Sequence, residues 1–316
     1  MSSPSTPASP AHQDARPSRG FARPLTGWLV AGVMVSVGVL AFIGYRAVAE
    51  WQRSATLLAG RRAEAAVDLF VQALARDMRG AQASVLQSTE HTDADREYDL
   101  VASAFARYPY PEVFVSARAP LRAGTTVFYT RVDRSAPWLH SSSGARQPVA
   151  VAEESAVASL LLTRLAADMA QGSRYSGFDV PIQGVTYQAV FLISYESAYR
   201  EQVTDVFGFL VNLAWVRDRY FDDLSTQVAR MAGGGGIALT VTDERRAPVV
   251  GPVSSSPVDA RGERTFPLLF FDPILVAARQ PTDLTVLLWT AAAVVSGDPT
   301  LLAANQGARQ TLIVAA

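Results

Sequence analysis

Residues 176–214 read SGFDVPIQGVTYQAVFLISYESAYREQVTDVFGFLVNLA, and this stretch indicates the fold class. Three of its segments are rich in β-branched and aromatic side chains: residues 176–182, Val185–Tyr195 and residues 205–214. Gly184 marks the turn between the first two. Because these predicted strands follow one another without a helix between them, the pattern favours an α+β protein with antiparallel sheets over a doubly wound α/β fold.

Helical and strand-like patterns continue on both sides of this stretch. Further strands are predicted at residues 112–118, 125–132, 237–242, 264–271 and 284–295, and helices at residues 153–171 and 216–231. The order of elements repeats, so each half of the chain is expected to contain a helix followed by an antiparallel sheet of about four or five strands.

Residues 25–45, LTGWLVAGVMVSVGVLAFIGY, form a run of 21 residues without a charge. At about 1.5 Å per residue, a helix of this length crosses the roughly 30 Å hydrocarbon core of a bilayer. Arg23 and Arg46 flank the run, and Trp28 and Tyr45 lie where interfacial aromatic residues are usual. The run predicts a transmembrane helix that stays in the chain.

Two questions about this run stay open at the level of sequence. A cleaved signal peptide is the alternative, since Ala47-Val48-Ala49 matches a cleavage pattern, although secretory apolar regions are shorter, at about 7–15 residues. Arginines also occur on both sides of the run, so charge bias leaves its orientation undetermined.

A long helix is predicted after the span, because no proline interrupts the helical pattern from residue 50 to residue 87. Apolar residues recur along it every three or four positions and predict one continuous stripe: Phe70, Leu74, Met78, Ala81 and Val85. At the other end of the chain, Arg309 precedes the apolar run TLIVAA, residues 311–316. We expect this run to be the start of a second transmembrane helix cut short by truncation, with an ordinary apolar tail as the alternative.

The composition excludes several classes of function. The 28 basic residues, all of them arginine, balance 29 acidic residues, and a net charge of -1 argues against a nucleic-acid-binding protein. Without cysteine or lysine, the chain has no thiolate metal site, Schiff-base lysine or P-loop lysine. His12, His91 and His140 each occur alone in a polar segment, so neither a metal site nor a catalytic triad is predicted, and no cofactor is expected.

The order of parts resembles a known arrangement. GIALTVTDERRAPVVG, residues 236–251, is similar to a central PAS hairpin, and FGFLVNLAWVRDRYFDDL, residues 207–224, resembles a closing strand that leads into the next module. Helices such as RRAEAAVDLFVQALARDMRGAQASVL, residues 61–86, occur in membrane-bound sensor histidine kinases. The chain thus resembles the N-terminal extracytoplasmic sensor region of a bacterial membrane-bound sensor histidine kinase of the double-Cache, or tandem PAS-like, type.

The resemblance implies a transmembrane helix that continues into a long helix, followed by two PAS-like (Cache-like) antiparallel-sheet modules. The implied plan is a disordered cytoplasmic tail (1–24), a transmembrane helix (25–45), a long signalling helix (46–92), a first sensor module (93–215), a second module (216–308) and the start of a second span (309–316). Residues 46–308 would be periplasmic, in an inner-membrane homodimer associated through the long helix.

The resemblance also implies a function and partners. The expected function is ligand sensing for a two-component receptor that signals through a kinase domain and a response regulator. This chain has no phosphoacceptor histidine box or ATP-binding box, so the kinase domain is expected beyond residue 316. The alternative is an anchored or secreted periplasmic binding or assembly protein without a kinase.

Six residues are predicted to form a ligand site in the first sheet: Tyr129, Arg131, Asp133, Trp138, Tyr187 and Tyr195. Even separation places the first two on one side of their strand and the two later tyrosines on one side of another. An arginine with aromatic hydroxyl groups is suited to hold a small carboxylate, and a solvated sheet face is the alternative. Amino-acid-binding members of the resembled family carry an Arg-x-Trp-Tyr-like cluster; the order differs here, so amino-acid specificity is not carried over.

Overall fold

The computed structural model describes residues 22–139, 142–146, 149–231, 236–251, 260–272 and 286–295. The predictions for residues 1–21 of the tail, for His140 and for the C-terminal residues 309–316 lie outside these ranges. The chain divides into two compact units, Met1–Thr56 and Leu57–Ala316.

Helix α1, Ala22–Ala81, has 60 residues and begins three residues before the predicted span. From residue 27 to residue 48 every side chain is exposed. Among the described residues this is the one helix long and apolar enough to cross a membrane, with a mean hydropathy of 2.1 over its most apolar window. The prediction of a long apolar N-terminal helix is confirmed, and its capacity to span follows from length and composition.

Within the second unit, α1 carries the predicted apolar stripe. The five residues from Phe70 to Val85 that define the stripe are at most 3% exposed, so the stripe is a buried face of the helix. After Ala81 the helix widens into a π turn, Gln82–Leu86, followed by a 3-10 turn, Thr89–Thr92, and by helix α2, Ala94–Arg107. These elements lead directly into the first sheet.

The first sheet is antiparallel and has seven strands in the order β3-β4-β2-β1-β7-β6-β5. Its strands are β1 (Pro111–Arg118), β2 (Thr126–Arg131), β3 (Ser142–Arg146), β4 (Val149–Ala152), β5 (Tyr175–Ile182), β6 (Val185–Tyr195) and β7 (Val203–Asn212). Helix α3, Ser155–Ala170, lies between β4 and β5 in the chain. The sheet therefore contains the central stretch of the sequence together with strands from both sides of it.

Both faces of the first sheet are covered. Phe114 packs in one apolar cluster with residues of α1 and α2, such as Phe70 and Phe105, while Val113 packs in the other with α3 residues such as Leu161. Strands buried on both faces carry apolar residues at odd and even positions alike. The nearly unbroken apolar runs in β1, β6 and β7 are the sequence counterpart of this burial.

The second sheet follows a helical connection made of α4 (Leu213–Trp215), a π turn (Val216–Tyr220) and α5 (Phe221–Met231). Its antiparallel strands are β8 (Ile237–Thr242), β9 (Pro248–Val250), β10 (Ala260–Leu268) and β11 (Leu287–Val295), in the order β10-β11-β8-β9. Strand β10 passes close to α1, because a Cβ atom on Gly262 would lie 2.8 Å from the carbonyl carbon and oxygen of Ala63.

The α+β class and the antiparallel sheets are confirmed, whereas the expected size of the first sheet is wrong. It has seven strands because β3 and β4 add to its edge. The sequence SSGAR of β3 has no β-branched or aromatic residue, so its local pattern predicts no strand. Pairing with β4 keeps it extended, so tertiary context overrides a weak strand propensity.

Candidate functional site

Strand β1 begins with a β-bulge that places a carboxylate inside the protein. Pro111 pairs with Val211 and Val113 pairs with Leu210, which leaves Glu112 as the extra residue between two successive pairs. A bulged residue departs from the regular alternation of its strand. Glu112 is 2% exposed and accepts hydrogen bonds from Nδ2 of Asn212, 3.2 Å from Oε2 and 3.4 Å from Oε1.

Arg134 reaches the same carboxylate from the loop that follows β2. Its Nε atom lies 3.6 Å from Oε1 of Glu112, and its Nη2 atom donates to the carbonyl of Pro109 at 2.9 Å. The guanidinium carbon is 3.6 Å from the centre of the Trp215 ring. Burial lowers the pKa of Arg134, and the charges of Glu112 and Asp133 oppose that shift. The result is a cation held between a carboxylate and an indole.

Two buried hydrogen-bond donors complete the arrangement. Trp138 and Tyr187 are both 0% exposed, and their rings meet edge to face at 6.2 Å. Within the described residues, neither Nε1 of Trp138 nor the hydroxyl oxygen of Tyr187 has a hydrogen-bond partner of ordinary geometry. Burial raises the pKa of Tyr187, the charge of Glu112 and a hydrogen-bond contact with it raise it further, and a contact with Trp138 lowers it in part. The hydroxyl therefore keeps its proton and lies between these two side chains. Buried donors without a hydrogen bond of good geometry cost free energy, and a ligand or a water that accepts from them recovers that cost.

We call these residues the Glu112 cluster: Glu112, Arg134, Trp138, Tyr187 and Asn212. It offers one carboxylate as an acceptor, one guanidinium as a fixed charge, and two neutral donors that make no hydrogen bond of ordinary geometry. An acceptor group such as a carboxylate suits the two donors, and an amino group suits Glu112. The cluster has the chemistry of a recognition site for a small polar molecule, and it contains no nucleophile paired with a base.

The structure brings together two of the six predicted site residues, Trp138 and Tyr187. Tyr129 packs with Phe114 in the apolar cluster that includes α1 and α2 residues, whereas Trp138 and Tyr187 belong to the cluster on the α3 side. Arg131 is 8% exposed and donates from Nε to the carbonyl of Pro111 at 2.9 Å. Burial lowers the pKa of Arg131 to about 10. These residues lie in the interior, so the alternative of a solvated sheet face is wrong.

The remaining predicted residues lie apart from the Glu112 cluster. Tyr195 donates its hydroxyl proton to the carbonyl of Ser173 at 2.9 Å, beyond the end of α3, and Asp133 is exposed. Sequence reasoning missed Glu112 and Asn212, which are 100 residues apart. The one available signal was an acidic residue at the start of the apolar run EVFV.

A second buried polar cluster lies around His91, which sequence reasoning placed alone in a polar segment. That interpretation is wrong, since His91 is 6% exposed and its Nε2 atom lies 3.5 Å from Oδ2 of Asp205 on β7. Arg118 donates to Glu97 at 2.7 Å beside it, and Ser194 donates to Asp205 at 2.9 Å. Burial alone would lower the pKa of His91, but Asp205 and the Ser88 carbonyl raise it above its ordinary value. The carboxylates of Asp205 and Glu97 thus act on the imidazole, while Arg118 pairs with Glu97 and with the backbone carbonyl of His91.

Comparisons with known proteins find likeness in solved structures alone. No protein-family model and no curated protein matches the chain. The periplasmic domain of Vibrio cholerae LuxQ is 12% identical, covering 76% of this chain and 98% of that one, with a TM-score of 0.32. The periplasmic sensory domain of the Campylobacter jejuni chemoreceptor Tlp1 is 10% identical, covering 77% and 93%, with a TM-score of 0.29.

A third similar structure is the sensory domain of the Campylobacter jejuni chemoreceptor Tlp3 with isoleucine bound. It is 10% identical, covers 80% of this chain and 94% of that one, and has a TM-score of 0.29. Because all three TM-scores are below 0.5, the function of this chain has to be inferred from its own residues.

Proposed function

We propose that the chain is the membrane-anchored, extracytoplasmic ligand-sensing region of a two-component receptor, with a histidine kinase as its effector. The single observation that carries the proposal is the pair of fully buried donors, Trp138 Nε1 and the Tyr187 hydroxyl, which make no hydrogen bond of ordinary geometry beside the buried carboxylate of Glu112. Buried donors whose hydrogen bonds have poor geometry destabilise the fold until a better acceptor binds, so ligand binding there is coupled to the free energy of folding.

The ligand proposed for this site is a small zwitterion, with a carboxylate on the two donors and an amino group on Glu112. A carboxylate alone would be repelled by the negative charge of Glu112, and a simple amine would bring no acceptor to Trp138 and Tyr187. Arg134 is already held by Glu112, the Pro109 carbonyl and the Trp215 ring. Its role in this proposal is to hold Glu112 in place.

Anchoring and dimerisation are further parts of the proposal. The exposed apolar face of α1 between residues 27 and 48 supports a membrane anchor. Trp51 and Leu58 lie seven residues apart and are exposed on the helix that follows, as in a helix that pairs with a second copy. Residues beyond the anchor are then periplasmic, and the homodimer transmits the ligand state to a cytoplasmic kinase domain.

Thermal unfolding of the full chain in lipid nanodiscs tests the ligand. The probes are glycine and small apolar α-amino acids, each compared with the carboxylic acid and the amine of the same side chain. We expect the zwitterion to raise Tm and each half-molecule to raise it less. Trp138→Phe and Tyr187→Phe should abolish the shift, while Tyr195→Phe, which removes a hydroxyl on the same strand as Tyr187, should retain it.

Two outcomes count against the proposal. If the ligand raises Tm equally in the native chain, Trp138→Phe and Tyr187→Phe, then ligand binding does not depend on the two donors. The absence of any shift across the three chemical classes would remove the sensing role assigned to the Glu112 cluster.

A further inference from the structure

The hydroxyl of Tyr110 is inserted into the hydrogen-bond ladder of α1. Ala81 N donates to this hydroxyl at 2.9 Å, and the hydroxyl donates to the carbonyl of Asp77, also at 2.9 Å. In an uninterrupted α-helix, the Ala81 amide would bond directly to the Asp77 carbonyl. The π turn Gln82–Leu86 starts at the next residue. A side chain that enters the ladder is a known cause of such a local change in helix register.

A second tyrosine binds the same turn of α1. Tyr220 donates from its hydroxyl to Oδ2 of Asp77 at 2.7 Å, and it is 2% exposed. Burial raises the pKa of Asp77, and the bond from Tyr220 lowers it in part. Tyr220 is the last residue of the other π turn, Val216–Tyr220, in the connection that leads to the second sheet. One turn of α1 therefore receives a hydroxyl from the segment before β1 and another from the segment before β8.

The second sheet also reaches this point through the residues that follow β10. The Phe270 ring lies 4.7 Å from the Tyr110 ring, and the Phe270 amide donates to Oε1 of Gln188 on β6 at 2.6 Å. The Asp272 amide donates to Oε1 of Gln82, inside the π turn of α1, at 2.7 Å. The π turn is thus bonded to the segment that follows β10, and that segment is bonded in turn to β6 of the first sheet.

Two short segments connect this turn to the Glu112 cluster. Tyr110 is two residues before Glu112, at the start of the bulged strand. Asn212, which bonds Glu112, is the N-cap of α4, since its side chain accepts from the Trp215 amide at 3.1 Å. The Trp215 ring lies under the Arg134 guanidinium and 6.4 Å from the Tyr220 ring. A displacement of Glu112 therefore acts on both tyrosines through the chain itself.

We propose that the π turn Gln82–Leu86 is a register switch of α1, held in its present state by the hydroxyl of Tyr110 and set by ligand at the Glu112 cluster. When the hydroxyl withdraws, the Ala81 amide bonds to the Asp77 carbonyl and the turn rewinds as α-helix. The extra residue of the π turn then becomes part of the regular α-helix. The helix before the turn and the helix after it are shifted by one residue in register, which rotates one against the other by about 100°. The ligand shifts this equilibrium by its difference in affinity for the two registers.

This inference depends on the proposed sensing role, but its test needs no ligand. The chain has no cysteine, so two introduced cysteines take spin labels specifically. Ala65 on α1 and Thr186 on β6 are both exposed. Electron–electron distance measurements on the full chain in nanodiscs then compare the native protein with Tyr110→Phe, which keeps the ring and removes the hydroxyl.

We expect Tyr110→Phe to change the distance between the two spin labels by roughly 5–8 Å. A side chain lies about 5 Å from the helix axis, and a rotation by one residue, about 100°, displaces it by that amount. Tyr220→Phe should populate the same second distance in part, and it serves as the alternative variant if Tyr110→Phe does not fold. The control is Tyr195→Phe, which removes a different helix-end hydroxyl bond and should leave the native distance unchanged.

A distance distribution in Tyr110→Phe and Tyr220→Phe identical to that of the native chain overturns the switch. That result would leave the thermal shifts of the ligand experiment intact. Conversely, the absence of any ligand shift would overturn the sensing role and leave the distance change in Tyr110→Phe in place.

Discussion

Replacing Gly262 by alanine tests the packing of the second sheet on α1. The new Cβ atom would lie 2.8 Å from the carbonyl carbon and oxygen of Ala63 and from the amide nitrogen of Glu64. Ordinary contacts begin at 3.4 Å, so a gap of 0.6 Å (3.4 minus 2.8) must open between the strand and the helix. The obstructing atoms are helix backbone and have no rotamer with which to yield. Overpacking of this kind costs about 1–3 kcal/mol.

Unfolding of the full chain in nanodiscs, followed by tryptophan fluorescence, measures this loss. A loss of about 2 kcal/mol corresponds to a fall in Tm of roughly 4–8 °C for a domain of this size. Gly60→Ala is the matched control on α1, because a Cβ atom there meets nothing within 4 Å. We expect that variant to gain up to about 1 kcal/mol from the better helix propensity of alanine.

A double variant tests whether the new Cβ atom clashes with the backbone of α1 or with the Ala63 side chain. Ala63→Gly in the Gly262→Ala background should recover little, because the three obstructing atoms remain when the Ala63 methyl group is removed. Full recovery in that double variant, or an unchanged Tm in Gly262→Ala, would refute the steric reasoning.

The remaining predictions concern the first sheet. The pKa of His91 is raised in the folded state, so its ion pair with Asp205 stabilises fully below pH about 6.5 and is lost as the pH rises through the raised value. Unfolding from pH 5.5 to pH 9 should show this decline in the native chain and not in His91→Gln, and equal slopes would contradict the assignment. Gly208→Ala should cost more than Gly262→Ala in the same unfolding assay, because its Cβ atom would lie 2.5 Å from the carbonyl oxygen of Val190 and closer still to the Phe191 ring. Arg131→Met should destabilise the fold by about 1–3 kcal/mol, because backbone carbonyls lose their donor, and should leave the ligand-induced rise in Tm unchanged. Loss of that rise would show that Arg131 takes part in ligand binding.

The elements set by local pattern could be predicted from the sequence. Val185–Tyr195 and Ile237–Thr242 have the predicted bounds, because β-rich runs end at turn residues such as Gly184. The stripe from Phe70 to Val85 is likewise a local helical period, and the structure buries it as expected. In these cases the residues that specify an element are the residues within it.

The candidate site could be predicted only in part, because it depends on contacts between distant segments. Trp138 and Tyr187 were identified as aromatic residues with a polar group, but the bulge that places Glu112 beside them arises from pairing of β1 with β7. Strand alternation correctly placed Tyr129 and Arg131 on one face. It could not show that Arg131 would lie over the Phe105 ring, on the opposite side of the sheet from Tyr187, and donate to a backbone carbonyl there.

The two π turns have a consequence for how this chain tolerates insertions and deletions. Gln82–Leu86 and Val216–Tyr220 each hold one residue more than an α-helical path would need. Removing one residue from either turn leaves a regular helix with the flanking segments still in phase with their own contacts. Homologous chains can therefore differ from this one by a single-residue gap at these positions. At Gln82–Leu86, such a gap would mark a chain in which the register change proposed for α1 does not occur.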